Sequence, residues 1–161
     1  MVGNPQVIQA LKDALSAERQ LNMQYRQDWL SVKNLGANRT AKVLKGFGHD
    51  THCFMKKLTN RILFLGGNPS GPIGPVSEAD SLMLTFKAEL ALEMAIIQPY
   101  ERSVQTCMNA LDDASRNLFE HLLKYHQTGG GPVKHGHVLW LEQQIDLLGK
   151  TSEGDYILEM H

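Results

Sequence analysis

The chain has 161 residues, and its 16 basic and 17 acidic side chains give a formal net charge of -1 with histidine neutral. This length suits one domain with a core of useful size, so residues 1–161 are interpreted as a single domain. The balanced charge excludes bulk attraction to nucleic acid or to an anionic membrane. No apolar run approaches the roughly 20 residues of a spanning helix, and no secretory pattern follows Met1, which together predict a cytoplasmic protein.

The first half of the chain predicts two long helices. Asn4-Pro5 is typical of a helix start, with an N-cap residue followed by proline at the first helical position, and Gly36 marks the end. The second helix is predicted from about Asn38 to the turn at Gly66–Pro69. The inward stripe of the first helix recurs at steps of three and four residues and comprises Ile8, Leu11, Leu15, Glu18, Asn22, Tyr25 and Trp29.

A long proline-rich segment separates these helices from a third. The stretch Gly66–Val76 predicts an extended linker, and Ser77 before Glu78 and Asp80 is typical of a helix N-cap. The stripe of the third helix comprises Leu82, Phe86, Leu90, Glu93, Ile97, Tyr100 and Val104.

A fourth helix is predicted from about Leu111 to Tyr125, with an interruption at Gly129–Pro132. The apolar pattern then resumes from Val138 to Leu148, and a short amphipathic tail runs from Tyr156 to Met160. Two short turns and one long linker between four amphipathic helices predict an all-α fold, a four-helix bundle with one long crossover and a short C-terminal helix.

Four stretches of the chain resemble the bacterioferritin family, and together they extend over nearly its whole length. They are Ala17–Tyr25, Arg61–Gly67 with Pro69, Glu89–Glu93 and Trp140–Glu142. The resemblance implies a ferritin-like bundle that assembles into a hollow cage of the twenty-four-subunit type and stores ferric mineral. It also implies a di-iron ferroxidase centre inside each bundle and haem b between pairs of subunits.

The di-iron centre of such a bundle takes one glutamate from each of two helices and a Glu-x-x-His motif from each of the other two. By resemblance, Glu18 matches the ligand of the first helix and Glu93 the ligand of the third. The matching positions of the second helix hold Thr51 and Phe54. Threonine is a poor iron ligand, and phenylalanine offers iron no ligand atom.

The fourth helix allows two registers against the family pattern. Counting back from Trp140 gives Lys134-x-x-His137, which keeps the histidine but replaces the glutamate by lysine. Counting forward from Ser115-Arg116 places His126 at the glutamate position and makes the following residues an insertion. Neither register contains Glu-x-x-His, so the sequence predicts that an intact ferroxidase centre is absent.

Two buried carboxylates without metal ions need another cation or a raised pKa. One hypothesis is a structural site in which Lys134 forms a salt bridge with Glu18 and Glu93. Another is a single metal ion held by Glu18, Glu93, His137 and a further histidine, either His126 or His135. Composition alone also suggests a soft-metal or copper site formed by His121, His126, His135 and His137.

A haem site is implied by the position of His52, which aligns with the methionine that holds the haem iron in the family. Two symmetry-related His52 side chains would bind one iron between them. Arg19 and Arg26 would then contact the haem propionates. The alternative is a solvated polar ridge at a dimer contact, in which His52 lies beside His49 and Lys56 by helical spacing.

The residue patterns and the resemblance together predict an iron-storage cage subunit that binds haem and has a degenerate ferroxidase centre. The cage would consist of identical copies or be mixed with a ferroxidase-active sister subunit. An oxidase with a mononuclear site, built from Glu18, Glu93, His126 and His137, and a purely structural bundle are the alternatives. Asp50 matches a family position near an accessory iron site on the inner cage surface, although Gly46 replaces the companion histidine.

Overall fold

The computed structural model describes residues 2–129 and 136–161, and these residues form helices without any strand. The helices of this described part are α1 (Pro5–Asn34), α2 (Asn38–Phe64), α3 (Leu82–Asn109), α4 (Asp113–Gln127), α5 (His137–Gly149) and α6 (Glu153–Glu159). Short turns join α1 to α2 and α3 to α4, whereas residues 65–81 form a long crossover between α2 and α3. α1 packs against α2 and α3, and α3 also packs against α4 and α5. The predicted all-α bundle with one long crossover is confirmed.

The first helix begins and ends close to the predicted residues because both of its ends are fixed locally. The Asn4 side chain accepts hydrogen bonds from the backbone N–H groups of Gln6 at 2.9 Å and Val7 at 3.2 Å. At the other end Gly36 adopts φ 97°, a left-handed conformation that favours glycine, and the chain turns into α2.

The third helix begins one turn later than the sequence predicts. Its N-cap is Ser81, whose hydroxyl accepts from the backbone N–H of Leu84 at 3.2 Å, so the predicted cap at Ser77 is wrong. Ser77 instead bonds to α1, because its N–H donates to Gln24 and its carbonyl oxygen accepts from the side chains of Gln24 and Gln27. These bonds fix the end of the crossover along α1 and keep the backbone at Ser77 out of the helix.

The fourth member of the bundle consists of two helices, α4 and α5. α4 ends where Gly129 adopts φ 80° and its N–H bonds to the carbonyl oxygen of Lys124 at 2.8 Å. A Cβ atom built on Gly136 would lie 2.3 Å from the carbonyl oxygen of Gln127, so α5 begins directly against the end of α4. The predicted break at Gly129–Pro132 lies mostly outside the described residues.

A buried tyrosine helps to hold the C-terminal helix α6 against the bundle. The Tyr156 hydroxyl donates to the side-chain oxygen of Gln144 in α5 at 2.7 Å and lies 2.9 Å from the hydroxyl of Thr40 in α2. This contact attaches the tail to the same end of the bundle as the start of α2. No helix within residues 2–129 and 136–161 is both long enough and apolar enough to cross a membrane.

Candidate functional site

Two glutamates face the interior from two neighbouring helices of the bundle. Glu18 of α1 and Glu93 of α3 each have a side chain that is 0% exposed. Each occupies a position in the apolar stripe of its helix, so packing of the stripe carries the carboxylate inward. Two ionised acids in an apolar interior require positive groups or protons nearby.

A single imidazole ring joins these two acids. His126, in the last turn of α4, places Nε2 2.6 Å from Glu18 Oε1 and Nδ1 2.6 Å from Glu93 Oε2. Because carboxylates only accept hydrogen bonds, both ring nitrogens donate when the ring is protonated. Burial acts to lower the pKa of His126, but the two carboxylates outweigh it and raise that pKa well above its usual value. The ring is therefore an imidazolium between two carboxylates.

His137 extends the arrangement towards α2. Its Nδ1 lies 2.7 Å from Glu93 Oε1, and its Nε2 lies 2.9 Å from Asp50 Oδ2. Burial acts to lower its pKa, but the charge of Glu93 and the bonds to both acids raise it. Burial likewise acts to raise the pKa of Glu93, yet the two histidines hold it well below its usual range.

The five side chains form an alternating series of acids and imidazoles, which we call the acid–histidine row: Glu18, His126, Glu93, His137 and Asp50. The first four are fully buried, whereas the Asp50 side chain is 15% exposed. The row therefore runs from the centre of the bundle to the edge of solvent at α2.

Two tyrosine hydroxyls complete the row. Tyr25 donates to Glu93 Oε1 at 2.5 Å, and Tyr100 donates to Glu18 Oε1 at 2.9 Å. Burial and the neighbouring carboxylates raise the pKa of both tyrosines well above the usual value, so both remain protonated donors. Among the described residues, Glu18 Oε2 is the one oxygen of the two glutamates that has no hydrogen-bond partner.

The α2 side of the site presents no ligand atom to the row at positions 51 and 54. The Thr51 hydroxyl donates to the Gly48 carbonyl at 2.8 Å and accepts from the Asn22 amide at 3.1 Å, so it is bonded within α2 and to α1. The Phe54 ring packs 5.4 Å from the ring of His126, measured between centroids. Hydrocarbon therefore lies beside the imidazolium on this side.

Three residues of the row are close enough to share one metal ion. One ligand atom from each of Glu93, His126 and His137 lies within 4.8 Å of the others. Lys134 and His135 lie outside the described residues. His121 is not part of this group, because it lies on a partly exposed face with Nε2 3.2 Å from Lys57 Nζ.

The residues expected to bind haem lie on the outside of the bundle. His52 is exposed on α2 and has no hydrogen-bond partner among the described residues, and Arg26 is exposed on α1. Arg19 is half-buried and donates from Nη2 to the carbonyl oxygen of Pro69 at 2.9 Å, so one of its donors is occupied by the crossover.

Several polar core residues were absent from the predicted site. Tyr100 was interpreted only as part of an apolar stripe, although it lies two turns beyond Glu93 and bonds to Glu18. Asp28 and Glu89 also lie buried near the row, one turn beyond Tyr25 and one turn before Glu93. Their helical spacing from the predicted residues was the signal that the sequence offered.

A bundle with one long crossover, in which glutamates from α1 and α3 meet across the core, defines a ferritin-like protein. The family model described as a ferritin-like domain matches residues 8–129. The chain is 31% identical to the bacterioferritin of Brucella melitensis over 97% of its own length and 92% of that protein, and 29% identical to that of Streptomyces coelicolor over 98% and 90%. With matches of this extent, the chain belongs to the bacterioferritin family.

Solved structures agree with this assignment. Mycobacterium tuberculosis bacterioferritin BfrA superposes with a TM-score of 0.90 at 25% identity, over 99% of this chain and 96% of that one. The Rhodobacter capsulatus bacterioferritin gives 0.89 at 27% identity, over 98% and 94%. That second structure is described as having a metal-free dinuclear site and a haem iron.

Proposed function

We propose that this chain is a cytoplasmic iron-storage cage subunit of the bacterioferritin type, in which the acid–histidine row replaces the ferroxidase centre. Membership of the family supports the storage role. The observation that carries the second part is the ring of His126, whose two nitrogens each lie 2.6 Å from a carboxylate oxygen, one of Glu93 and one of Glu18. With both rings protonated, the positive charges of His126 and His137 balance those of Glu18 and Glu93 without a metal ion.

Two iron ions do not fit this set of residues. A di-iron centre needs a carboxylate and an imidazole from α2. At these positions α2 has Thr51, whose hydroxyl is already bonded to the Gly48 carbonyl, and the hydrocarbon ring of Phe54. The ring of His126 also lies between Glu18 and Glu93, the two glutamates that the family pattern would assign to the metals. His126 supplies a counter-ion of the kind predicted for Lys134.

In this proposal the subunit contributes shell and storage surface, and iron oxidation takes place elsewhere. A cage mixed with an active sister subunit supplies that oxidation. The row keeps the core charge balanced, so the bundle folds and assembles whether or not metal is present. A homogeneous cage of this chain would then take up iron only as fast as Fe²⁺ oxidises without a centre.

The test is Fe²⁺ oxidation by the purified, chelator-treated cage, followed by oxygen consumption. Wild type and Glu93→Gln are expected to oxidise Fe²⁺ equally slowly, and Glu142→Gln serves as a control because Glu142 is exposed on α5. A fast, stoichiometric phase in wild type that disappears in Glu93→Gln and persists in the control would refute the proposal.

A mononuclear metal site is the second candidate, favoured by the 4.8 Å grouping of Glu93, His126 and His137. A metal ion requires neutral imidazole, so its binding would displace a proton from His126. Metal analysis of the purified cage separates the two proposals. Our proposal predicts no stoichiometric metal that depends on Glu93, whereas the mononuclear oxidase predicts about one ion per chain that Glu93→Gln removes.

We further propose that His52 binds haem b at a two-fold contact between subunits. The exposed, unbonded imidazole on α2 supports this, because a second copy can bring an equivalent ring to the same iron. Arg26 is exposed for contact with a propionate, and Arg19 retains donors beyond the one bonded to Pro69.

Visible absorption of the cage expressed with excess haem tests the haem proposal. A Soret band is expected in wild type and in His49→Ala, the matched control one turn earlier on the exposed face, and is expected to vanish in His52→Ala. A wild-type protein without the band, or one in which His52→Ala retains it, contradicts the assignment.

A further inference from the structure

A second pair of acids lies buried in the bundle, apart from the acid–histidine row. Asp28 of α1 is 5% exposed and Glu89 of α3 is 0% exposed, and their carboxyl groups lie within hydrogen-bonding reach of each other. Burial raises the pKa of both, and the charge of Asp28 raises that of Glu89 further. Two ionised carboxylates cannot bond to each other, so a proton, a bridging water or a cation is needed between them.

No side-chain cation balances this pair in the described part of the chain. None of the ion pairs found within residues 2–129 and 136–161 includes Asp28 or Glu89. Neither oxygen of Glu89 has a hydrogen-bond partner there, although both are buried. Among the described residues, one donor reaches the pair, the Nε2 group of Gln24, which lies 2.9 Å from Asp28 Oδ2.

The two unpartnered oxygens of Glu89 favour a cation over a proton. A proton shared with Asp28 would engage one oxygen of Glu89 and leave the other buried without a partner, which is costly. A cation that binds the Glu89 carboxylate through both oxygens, and Asp28 through one, leaves no such group.

We infer that Asp28 and Glu89 form a binding site for a hard divalent cation, separate from the acid–histidine row. All of its donors are oxygen atoms, the ligand type preferred by Mg²⁺, Ca²⁺ and Mn²⁺. Gln24 holds the Asp28 carboxylate by the 2.9 Å bond from its amide. Hydrogen-bonded support of this kind orients carboxylate ligands at metal sites.

The crossover connects the site to solvent. The Gln24 amide that holds Asp28 is itself fixed by Ser77, which donates its N–H to Gln24 Oε1 at 2.9 Å and accepts from Nε2 at 3.0 Å. Ser77 is exposed, so the pair lies one side chain away from the surface. A cation that enters from this side would therefore have to displace the hydrogen bonds between Gln24 and Ser77.

Mn²⁺ binding to the chelator-treated, full-length cage tests the inference, measured by equilibrium dialysis with metal analysis. Wild type and Glu93→Gln are both expected to bind Mn²⁺ at this site, whereas Glu89→Gln and Asp28→Asn are expected to lose about one ion per chain. Circular dichroism establishes that each variant is folded. Because Glu93→Gln removes the row's central acid, its result separates this site from the mononuclear alternative.

A wild-type crystal soaked in Mn²⁺ gives a readout that requires no variant. An anomalous peak between the carboxylates of Asp28 and Glu89 supports the site. The absence of a peak there overturns the inferred site. Mn²⁺ binding that is lost in Glu93→Gln but retained in Glu89→Gln overturns the site as well. A protonated carboxyl band in the infrared spectrum that Glu89→Gln abolishes, together with no Mn²⁺ uptake, would show a shared proton in place of the cation.

Discussion

Replacement of His126 by glutamine tests the charge balance of the core most directly. The change removes the positive charge between Glu18 and Glu93 and retains a side chain that donates from only one end. A charge-assisted hydrogen bond contributes about 1.5–3 kcal/mol, and His126 makes two of them at 2.6 Å. Removal of one partner of a buried ion pair costs about 3–5 kcal/mol, so we expect the free energy of unfolding to fall by an amount in that range.

The predicted loss depends on pH with a definite sign. The pKa of His126 is raised in the folded state, so its contribution is fully present below its unfolded pKa of about 6.5 and is lost as pH rises through the folded pKa. The pKa of Glu93 is lowered, so its contribution is present above about pH 4.3 and is lost as pH falls through the folded pKa. The difference between wild type and His126→Gln should therefore be largest at about pH 5–6.5 and should narrow in alkali.

The assay is guanidinium unfolding followed by circular dichroism at a fixed protein concentration, since assembly also stabilises the fold. His121→Gln is the matched control, because His121 lies on the same helix but is partly exposed beside Lys57. Burial and neighbouring lysines lower the pKa of His121, so its contribution declines as pH falls, which is the opposite trend. If His126→Gln lies within about 0.5 kcal/mol of wild type at pH 6, or if the difference grows with rising pH, the reasoning is refuted.

Three further substitutions test separate features of the fold. Tyr100→Phe removes the hydroxyl that donates to Glu18 and should lower the free energy of unfolding by about 1–3 kcal/mol; no change in chemical unfolding would contradict the contact. Gly136→Ala places a Cβ 2.3 Å from a backbone oxygen at the end of α4 and should cost about 1–3 kcal/mol, whereas Gly46→Ala, with open space around its Cβ, should leave the melting temperature equal or higher. Asp112→Ala removes the N-cap of α4 and should cost about 1–2 kcal/mol at pH 7. Partial burial acts to raise the pKa of Asp112, but hydrogen bonds and the neighbouring guanidinium of Arg61 lower it. The cost of Asp112→Ala should therefore shrink below about pH 4. A cost that grows in acid would contradict the cap.

The bounds of the first helix could be predicted from the sequence, because residues next to its ends fix them. Asn4 and Gly36 act on the few residues beside them, and the structure places the helix ends there. The start of the third helix could not be predicted, because the residues around Ser77 match the sequence pattern of a helix N-cap although the cap is Ser81. The N–H and carbonyl groups of Ser77 are bonded to Gln24 and Gln27, which lie about fifty residues earlier in the chain.

The candidate site was predictable in part for the same reason. Glu18 and Glu93 occupy stripe positions, and helical periodicity alone predicts that they face the core. The sequence left open which register of the fourth helix applied, and the structure brings His126 and His137 into the core together. That outcome depends on how α5 begins against the end of α4, a contact that no periodic pattern encodes.

The packing of the Phe54 ring against His126 limits how a di-iron centre could arise at this site by single substitutions. A di-iron centre at this place would require ligands at positions 51 and 54, now Thr51 and Phe54, and the removal of His126. Removing His126 alone exposes two acids to each other in a dry core, and adding a glutamate first introduces a third. Each single step therefore leaves buried charges without a partner, so a di-iron centre could arise here only through several substitutions made together.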